Sequence, residues 1–142
     1  MTQGAERTPN FAEHLCAVTN AHDLDRLVDC FTTDYVNETP AHPERSFRGR
    51  EQVRRNWAQI FANVPDVTAE VVGSDQVGNR LWSEWEMRGT QLDGQRFLMR
   101  GVMVFTVEGD RARAVRFYVE PVDGTSKADA WPGAQLRGVP RP

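Results

Sequence analysis

The chain has 142 residues and a net charge of −3, and none of its apolar runs approaches the roughly 20 residues that cross a bilayer. Its basic residues are scattered and do not form the positive patch that nucleic-acid binding requires. The first residues lack the basic and then apolar regions of a secretory signal, so we expect one cytoplasmic domain that binds neither nucleic acid nor membrane.

Three amphipathic helices are predicted in the first half of the chain. Thr8 as N-cap and Pro9 at the first helical position start the first helix, which ends near Asn20. The second follows Asp23 as its cap, and the third spans about residues 50–63. Apolar residues recur at helical spacing: Phe11, Leu15 and Val18; Leu24, Leu27, Val28 and Phe31; Val53, Trp57, Ile60, Phe61 and Val64.

Five strands complete the predicted order α-α-β-α-β-β-β-β. A short strand at residues 35–39 precedes the third helix, and the others follow it at residues 67–75, 80–90, 95–108 and 111–121. Gly-bearing turns join the last three strands, as tight hairpins require. The pattern predicts three helices packed on a mostly antiparallel sheet.

A single domain is predicted over residues 1–122, of which residues 1–7 form a frayed tail. Residues 123–142 are rich in Gly and Pro, and Trp131 and Leu136 are their only large apolar side chains. Such a segment cannot form a core of its own. We expect either a disordered tail or an arm that lays Trp131 across a pocket mouth or a neighbouring subunit.

The last three strands sort into two faces because successive side chains of a strand point to opposite sides. The first face is apolar and almost uncharged: Ser83, Trp85, Met87, Met99, Gly101, Met103, Phe105, Val115, Phe117 and Val119. The second mixes aromatic, aliphatic and charged residues: Trp82, Glu84, Glu86, Arg88, Arg100, Val102, Val104, Arg116, Tyr118 and Glu120. The first face predicts a core or cavity wall, and the second a solvated face or a subunit interface.

Five short stretches in the same order resemble the superfamily of nuclear transport factor two and the ketosteroid isomerases, and most of all its SnoaL-like polyketide cyclases. They are residues 20–25 (NAHDLD), 31–36 (FTTDYV), 47–51 (FRGRE), 84–90 (EWEMRGT) and 116–121 (RFYVEP). The resemblance covers about residues 10–122. It implies a cone-shaped α+β barrel, in which three N-terminal helices and a strongly curved, mixed sheet enclose a deep pocket.

The catalytic residues that the resemblance implies are replaced in this chain. SnoaL-like cyclases and limonene epoxide hydrolases carry an essential acid where this chain has Phe117, and the hydrolases add an Arg and an Asp where it has Ser83 and Trp85. The catalytic residues of ketosteroid isomerases correspond to Leu15, Thr39 and Met103. None of the three catalytic sets is complete, and the Phe, Trp and Met side chains cannot move a proton, so neither epoxide hydrolysis nor the isomerase mechanism is expected.

Glu38 and His14 are the remaining candidates for proton transfer. Glu38 adjoins the position of the isomerase base, and a carboxylate between apolar walls would suit general acid or base work; the alternative is a strand-end residue that faces water. His14 shares the predicted inward stripe of the first helix, where it could bond a substrate oxygen or be an ordinary core residue.

The resemblance implies a hydrophobic small-molecule substrate, because the matching positions line the cavity of the superfamily. The expected substrate-binding residues are Leu15, Thr39, His42, Trp57, Ser83, Trp85, Met87, Met99, Met103, Phe117 and Val119. We expect Ser83 to bond a substrate oxygen and His42 to lie in a loop above the pocket. The implied reaction is cyclisation, isomerisation or dehydration in secondary metabolism such as antibiotic biosynthesis, and the alternative is a carrier that sequesters a ligand unchanged.

No metal or cofactor is expected, because His14, His22 and His42 lack the paired spacing of metal ligands. Cys16 and Cys30 lack CxxC spacing and are predicted to be buried free thiols. The charged and aromatic residues on the second face of the sheet predict a homodimer.

Overall fold

The computed structural model describes residues 8–125, so the predictions for residues 1–7 and for Trp131 and Leu136 lie outside the described residues. The helices are α1 (Phe11–Asn20), α2 (Leu24–Val28) and α3 (Arg50–Asn63). The strands are β1 (Phe31–Glu38), β2 (Phe47–Arg48), β3 (Thr68–Val77), β4 (Arg80–Thr90), β5 (Arg96–Glu108) and β6 (Arg111–Pro121).

One six-stranded sheet has the order β2-β1-β6-β5-β4-β3. β1 runs parallel to β6, and the other neighbouring pairs are antiparallel. The sheet is mixed, because it contains one parallel pair. Among the described strands β2 and β3 are the edges and do not pair with each other, so the sheet is open. The predicted α+β class, with three helices packed on a mixed, mostly antiparallel sheet, is confirmed.

Alternation along β4, β5 and β6 produces the two predicted faces. The side chains of the inner face are buried, and Trp85 is only 1% exposed. The outer face carries the exposed Trp82 and Tyr118 together with the charged residues, although Val104 on that side is buried. The inner face therefore packs against the helices.

Gly101 in the middle of β5 permits the sheet to pack closely at its centre. It lies opposite Trp85 of β4 and Val119 of β6, and its φ is +156°. A Cβ atom at this position would lie 2.2 Å from the Tyr118 carbonyl oxygen and 2.6 Å from the Val119 Cα. Only glycine fits this conformation and this approach of the two backbones.

The first helix begins later than predicted. Asn10, not Thr8, is its N-cap: the Asn10 Oδ1 accepts from the Glu13 N–H, and the Glu13 carboxylate accepts from the Asn10 N–H, each at 2.9 Å. This reciprocal capping box satisfies two backbone donors at once, which a Thr8 cap would not. Asp23 caps α2 as predicted.

The second helix is shorter than predicted, and the first strand is longer. Phe31 opens β1 instead of continuing α2, and the Cys30 carbonyl accepts from the Ala112 N–H of β6 at 2.8 Å. Pairing with a distant strand and the β-branched or aromatic residues that follow favour an extended chain here. The two-residue β2 and a short 3-10 turn, Pro43–Arg45, were also absent from the predicted elements.

Both cysteines are free thiols, as predicted, although Cys16 is half-buried and only Cys30 is fully buried. Within residues 8–125, no helix combines the length and the apolar composition that crossing a membrane would demand.

Candidate functional site

A cavity of about 70 Å³ lies between the helices and the inner face of the sheet. At about 15 Å³ for each water, it has room for roughly five water molecules. Its apolar wall consists of Leu15, Phe31, Phe47, Val53, Trp57, Ile60, Trp85, Met87, Met103, Phe105 and Phe117. Its polar groups come from Thr19, Tyr35, Asn37, Thr39, Arg45 and Asn56. The cavity suits a compact, mostly apolar guest with a few polar atoms.

Tyr35, Asn37 and Thr39 form a hydrogen-bonded row at the end of β1. Alternate residues of a strand share a face, which places all three at the cavity. The Thr39 hydroxyl donates to the Asn37 Oδ1, and the Asn37 Nδ2 donates to the Tyr35 hydroxyl oxygen, each at 3.3 Å. Because Tyr35 is the acceptor in this bond, its own proton remains for donation to another acceptor.

Burial keeps the Tyr35 hydroxyl protonated. The side chain is only 2% exposed, and desolvation raises its pKa far above the ordinary value of 10.0, more than the bond from Asn37 lowers it. The phenol is therefore neutral at physiological pH. It can donate a hydrogen bond to a ligand oxygen, but it cannot serve as a base.

Arg45 enters the cavity wall from the loop after β1. The Thr39 N–H donates to the Ser46 Oγ at 3.0 Å, and the Arg45 N–H donates to the His42 carbonyl at 2.9 Å. These bonds fold the loop back over the strand end. Arg45 is only 5% exposed, and its guanidinium carries a permanent charge. The cavity thus combines a cation with neutral polar groups.

Ser83 supports the cavity wall without lining it. Its Oγ accepts from the Trp85 Nε1 and donates to the Met103 carbonyl, each at 2.8 Å. The Ser83 hydroxyl already donates its proton to the Met103 carbonyl within the sheet. The structure therefore does not support the predicted bond from Ser83 to a substrate oxygen. Ser83 instead fixes the orientation of Trp85, which does line the cavity.

Glu38 does not point into the cavity. Its side chain is 55% exposed and pairs with Arg116 of β6, at 3.0 Å between Glu38 Oε1 and Arg116 Nη1. Tyr35, Asn37 and Thr39 occupy the inner side of this segment, so alternation directs Glu38 to the outer side. The predicted role of Glu38 in proton transfer inside the pocket has no support from this placement.

The histidines proposed for the pocket also lie outside it. His14 is exposed on α1, where it borders a separate depression of about 600 Å³ beside Arg26 and Asp29. The buried face of α1 consists of Phe11, Ala12, Leu15, Val18 and Thr19, and His14 lies outside that face. His42 lies in the loop between β1 and β2 but does not line the cavity, and its Nε2 pairs with Glu120 at 2.9 Å.

Seven of the predicted substrate-binding residues line the cavity: Leu15, Thr39, Trp57, Trp85, Met87, Met103 and Phe117. Met99 and Val119 are buried in the inner face but do not reach the cavity. Tyr35, Asn37 and Arg45 were missed. Alternation along β1 could have indicated the first two, since they precede Thr39 by four and two residues. Arg45 lies in a loop, where no periodic signal exists.

The arrangement can position a guest and stabilise negative charge on one of its oxygens. Tyr35 offers a neutral O–H from a buried position with mostly apolar walls, where hydrogen bonds are stronger than at the surface. No carboxylate or imidazole belongs to the described residues that line the cavity. Elsewhere in residues 8–125, no three His, Cys, Asp or Glu side chains converge as metal ligands would.

Solved structures similar to this chain share the same fold. An uncharacterized cystatin-fold protein from Novosphingobium aromaticivorans is 28% identical, covers 76% of this chain and 94% of its own, and has a TM-score of 0.62. A loop-truncation variant of IdmH is 25% identical, with coverage of 78% and 90% and a TM-score of 0.65. A ketosteroid isomerase-like protein from Catenulispora acidiphila, solved with trimethylamine, is 18% identical, with coverage of 79% and 87% and a TM-score of 0.65.

No curated protein matches the sequence. The profile of one family does match it, over residues 12–115, from the first turn of α1 to the middle of β6. That range contains most of the helices and the sheet, and it contains every residue named above as lining the cavity except Phe117. The chain belongs to the SnoaL-like domain family.

Proposed function

We propose that this protein is a small-molecule enzyme of secondary metabolism that takes the reactive segment of a hydrophobic, polyketide-like substrate into the cavity. The observation that carries the proposal is a buried, neutral Tyr35 hydroxyl set among apolar walls. The cavity volume of about 70 Å³ is well below the 300–1,000 Å³ typical of sites for drug-sized ligands. A compact segment fits it better than a whole multi-ring molecule.

The proposed reaction is cyclisation, isomerisation or dehydration. In each, the apolar wall holds the substrate near its reactive conformation, and positioning alone can lower a barrier by several kcal/mol. Tyr35 donates to a substrate carbonyl oxygen and stabilises the negative charge that develops on it as a substrate C–H group gives its proton to solvent water. The water then returns a proton to the new position on the product or to the leaving hydroxyl group. Asn37 accepts from Thr39 and donates to Tyr35, so it orients the phenol.

The central test compares the two tyrosines of the chain. We expect Tyr35→Phe to lower the rate of conversion of an accepted substrate about 100- to 1,000-fold, the range seen when an oxyanion donor is removed. Tyr118→Phe is the matched control, because Tyr118 is exposed on the outer face. Chromatography and mass analysis after incubation with a panel of polyketide-like ketones give the rates. Equal conversion by Tyr35→Phe and wild type would overturn the assignment of Tyr35.

A non-catalytic carrier is the second candidate. It is favoured by one observation, namely that the described cavity wall has no carboxylate or imidazole to move a proton. The same panel separates the two proposals. A carrier would quench the fluorescence of Trp57 and Trp85 on binding and release each compound with its mass and isomer composition unchanged. An enzyme would change the isomer composition or the mass.

A further inference from the structure

Arg45 makes one part of the cavity wall permanently positive. The residue is 95% buried, and it lines the same cavity as Tyr35 and Trp57. Water screens a charge poorly at such a position, so its attraction for an anion is much stronger than at the surface. A guanidinium also matches the planar geometry of a carboxylate and binds it through two parallel N–H bonds.

The polar groups around the cavity also present hydrogen-bond donors. The Asn56 Oδ1 already accepts from the Gln52 Nε2 at 2.8 Å, which leaves the N–H groups of its amide for a guest. Tyr35 accepts from Asn37 and keeps its proton. Among the described residues that line the cavity, none carries a negative charge. The polarity of this wall complements a guest with an anionic oxygen.

We infer that the segment of the substrate that enters the cavity carries a carboxylic acid, whose carboxylate binds Arg45 and whose apolar part lies against Trp57, Trp85 and Phe117. The inference rests on the proposed function, since it names the class of molecule that the cavity takes. A guanidinium has five N–H donors, so Arg45 can keep bonds within the protein while it binds the carboxylate. An anionic group on the substrate also fixes which of its other atoms faces Tyr35.

Three aromatic probes of similar size and different charge test the inference: benzoate, benzamide of the same planar shape, and benzylammonium. Their affinities are measured by ligand-observed NMR titration against the whole chain at constant ionic strength. We expect benzoate to bind at least tenfold more tightly than benzamide, and benzylammonium to bind most weakly. This ranking is measured on the wild-type protein and does not depend on any variant that fails to fold.

Two substitutions locate the preference. We expect Arg45→Gln to abolish the preference, so that the affinities for benzoate and benzamide agree within about twofold. Arg45→Lys should keep a smaller preference for benzoate, because lysine retains the charge but lacks the planar guanidinium group. Arg113→Gln is the matched control, since Arg113 is exposed on β6, and it should leave the ratio unchanged. Circular dichroism establishes that each variant is folded.

The outcomes separate this inference from the proposed function. Equal binding of the three probes overturns the inference, because the cavity then binds small aromatic molecules without a preference for an anion. That result leaves the proposed function intact. If folded Arg45→Gln still prefers benzoate, the carboxylate binds at a position other than Arg45. That result also overturns the inference. Failure of all three probes to bind counts against the inference and the proposed function together.

Discussion

Tyr35 and Trp85 show how single hydrogen bonds set the chemistry of the cavity. Ser83 binds the Trp85 indole N–H, so the ring presents only apolar surface to a guest. Asn37 binds the oxygen of Tyr35, so the phenol presents only its proton. Both supporting side chains use groups that would otherwise compete for the ligand. The polar function of the wall is therefore concentrated on Tyr35, Arg45 and Asn56.

At the residue scale, the sequence could predict the apolar wall better than its polar groups. Trp85, Met103 and Phe117 are recognisable from alternation alone, because long strands bury every second residue. The chemistry of Glu38 and Ser83 could not be predicted this way. Whether Glu38 points inward depends on one residue of register, and whether Ser83 is available depends on its bonds to Trp85 and Met103, which no local pattern encodes.

The buried Cys30 thiol predicts a loss of stability at alkaline pH. Desolvation by burial, followed by the charge of Asp29, raises its pKa from 9.0 to about 11. Between these values the unfolded thiol is ionised while the folded thiol is protonated, so the folded state binds more protons and the free energy of unfolding falls as pH rises. The contribution is complete below pH 9 and decreases by about 1.4 kcal/mol per pH unit.

Chemical denaturation at pH 8, 9, 10 and 11 measures this effect. We expect the free energy of unfolding of Cys30→Ala to fall less steeply than that of wild type between pH 9 and 11. Tyr35 also titrates in this range in the unfolded chain, but it does so in both proteins and cancels in the comparison. Cys16→Ala is the control, because Cys16 is less buried and its pKa is raised less. Parallel curves for wild type and Cys30→Ala would show that Cys30 contributes nothing to the pH dependence.

At the element scale, the side-chain amide of Asn20, the last residue of α1, fixes the helix to the sheet through two hydrogen bonds with the backbone of β3. Asn20 accepts from the Ala69 N–H of β3 at 2.6 Å and donates to the Ala69 carbonyl at 2.9 Å. The amide thus pairs with β3 as a neighbouring strand would. This contact places Leu15 and Thr19 of α1 over the inner face, where they line the cavity.

Gly101 is the position where one methyl group should damage the sheet most. We expect Gly101→Ala to destabilise the protein by at least about 2 kcal/mol, because it adds a steric clash with β6 to an unfavourable φ. Gly73→Ala is the control in β3, where an added Cβ meets no atom within 4 Å. Urea denaturation measures both variants. An unchanged midpoint for Gly101→Ala would mean that the strands separate there at little cost.

The elements that the sequence predicted well are those with local signals. The hairpins between β4, β5 and β6 were predicted from glycine turns flanked by alternating residues. The register of β4 and β5 continues unbroken from their turn, whereas that of β5 and β6 shifts between Thr106 and Val107. The start of β1 and the whole of β2 were not predicted. Both depend on pairing with distant residues, such as Cys30 with Ala112 and Asn37 with Phe47, and a two-residue strand has no periodicity.

At the scale of the whole molecule, the outer face of the sheet has the composition of an interface. Trp82 is 51% exposed and lies opposite Val104, while Tyr118 is 38% exposed and lies opposite Val102. Glu86 pairs with Arg88 and Arg100 at one side of these aromatic residues. An apolar centre with aromatic residues and a charged rim is typical of protein–protein contacts.

We expect two copies of the chain to pair through this outer face. A dimer would withdraw Trp82 and Tyr118 from water while leaving the cavity, on the other side of the sheet, accessible. Light scattering at micromolar concentration should therefore give twice the 16.1 kDa monomer mass. Trp82→Glu should return the mass to that of a monomer, because it places a charge in the apolar centre of the contact.

Leu92→Glu is the control for this experiment. Leu92 is 73% exposed, like Trp82 a large apolar residue in water, but it lies in the turn between β4 and β5 and not on the outer face. It should leave the dimer intact, since the added charge stays in solvent. A monomer mass for the wild-type chain would reject pairing altogether. If Leu92→Glu dissociates the dimer and Trp82→Glu does not, the contact lies at the turn between β4 and β5. The prediction that the outer face forms the interface would then be wrong.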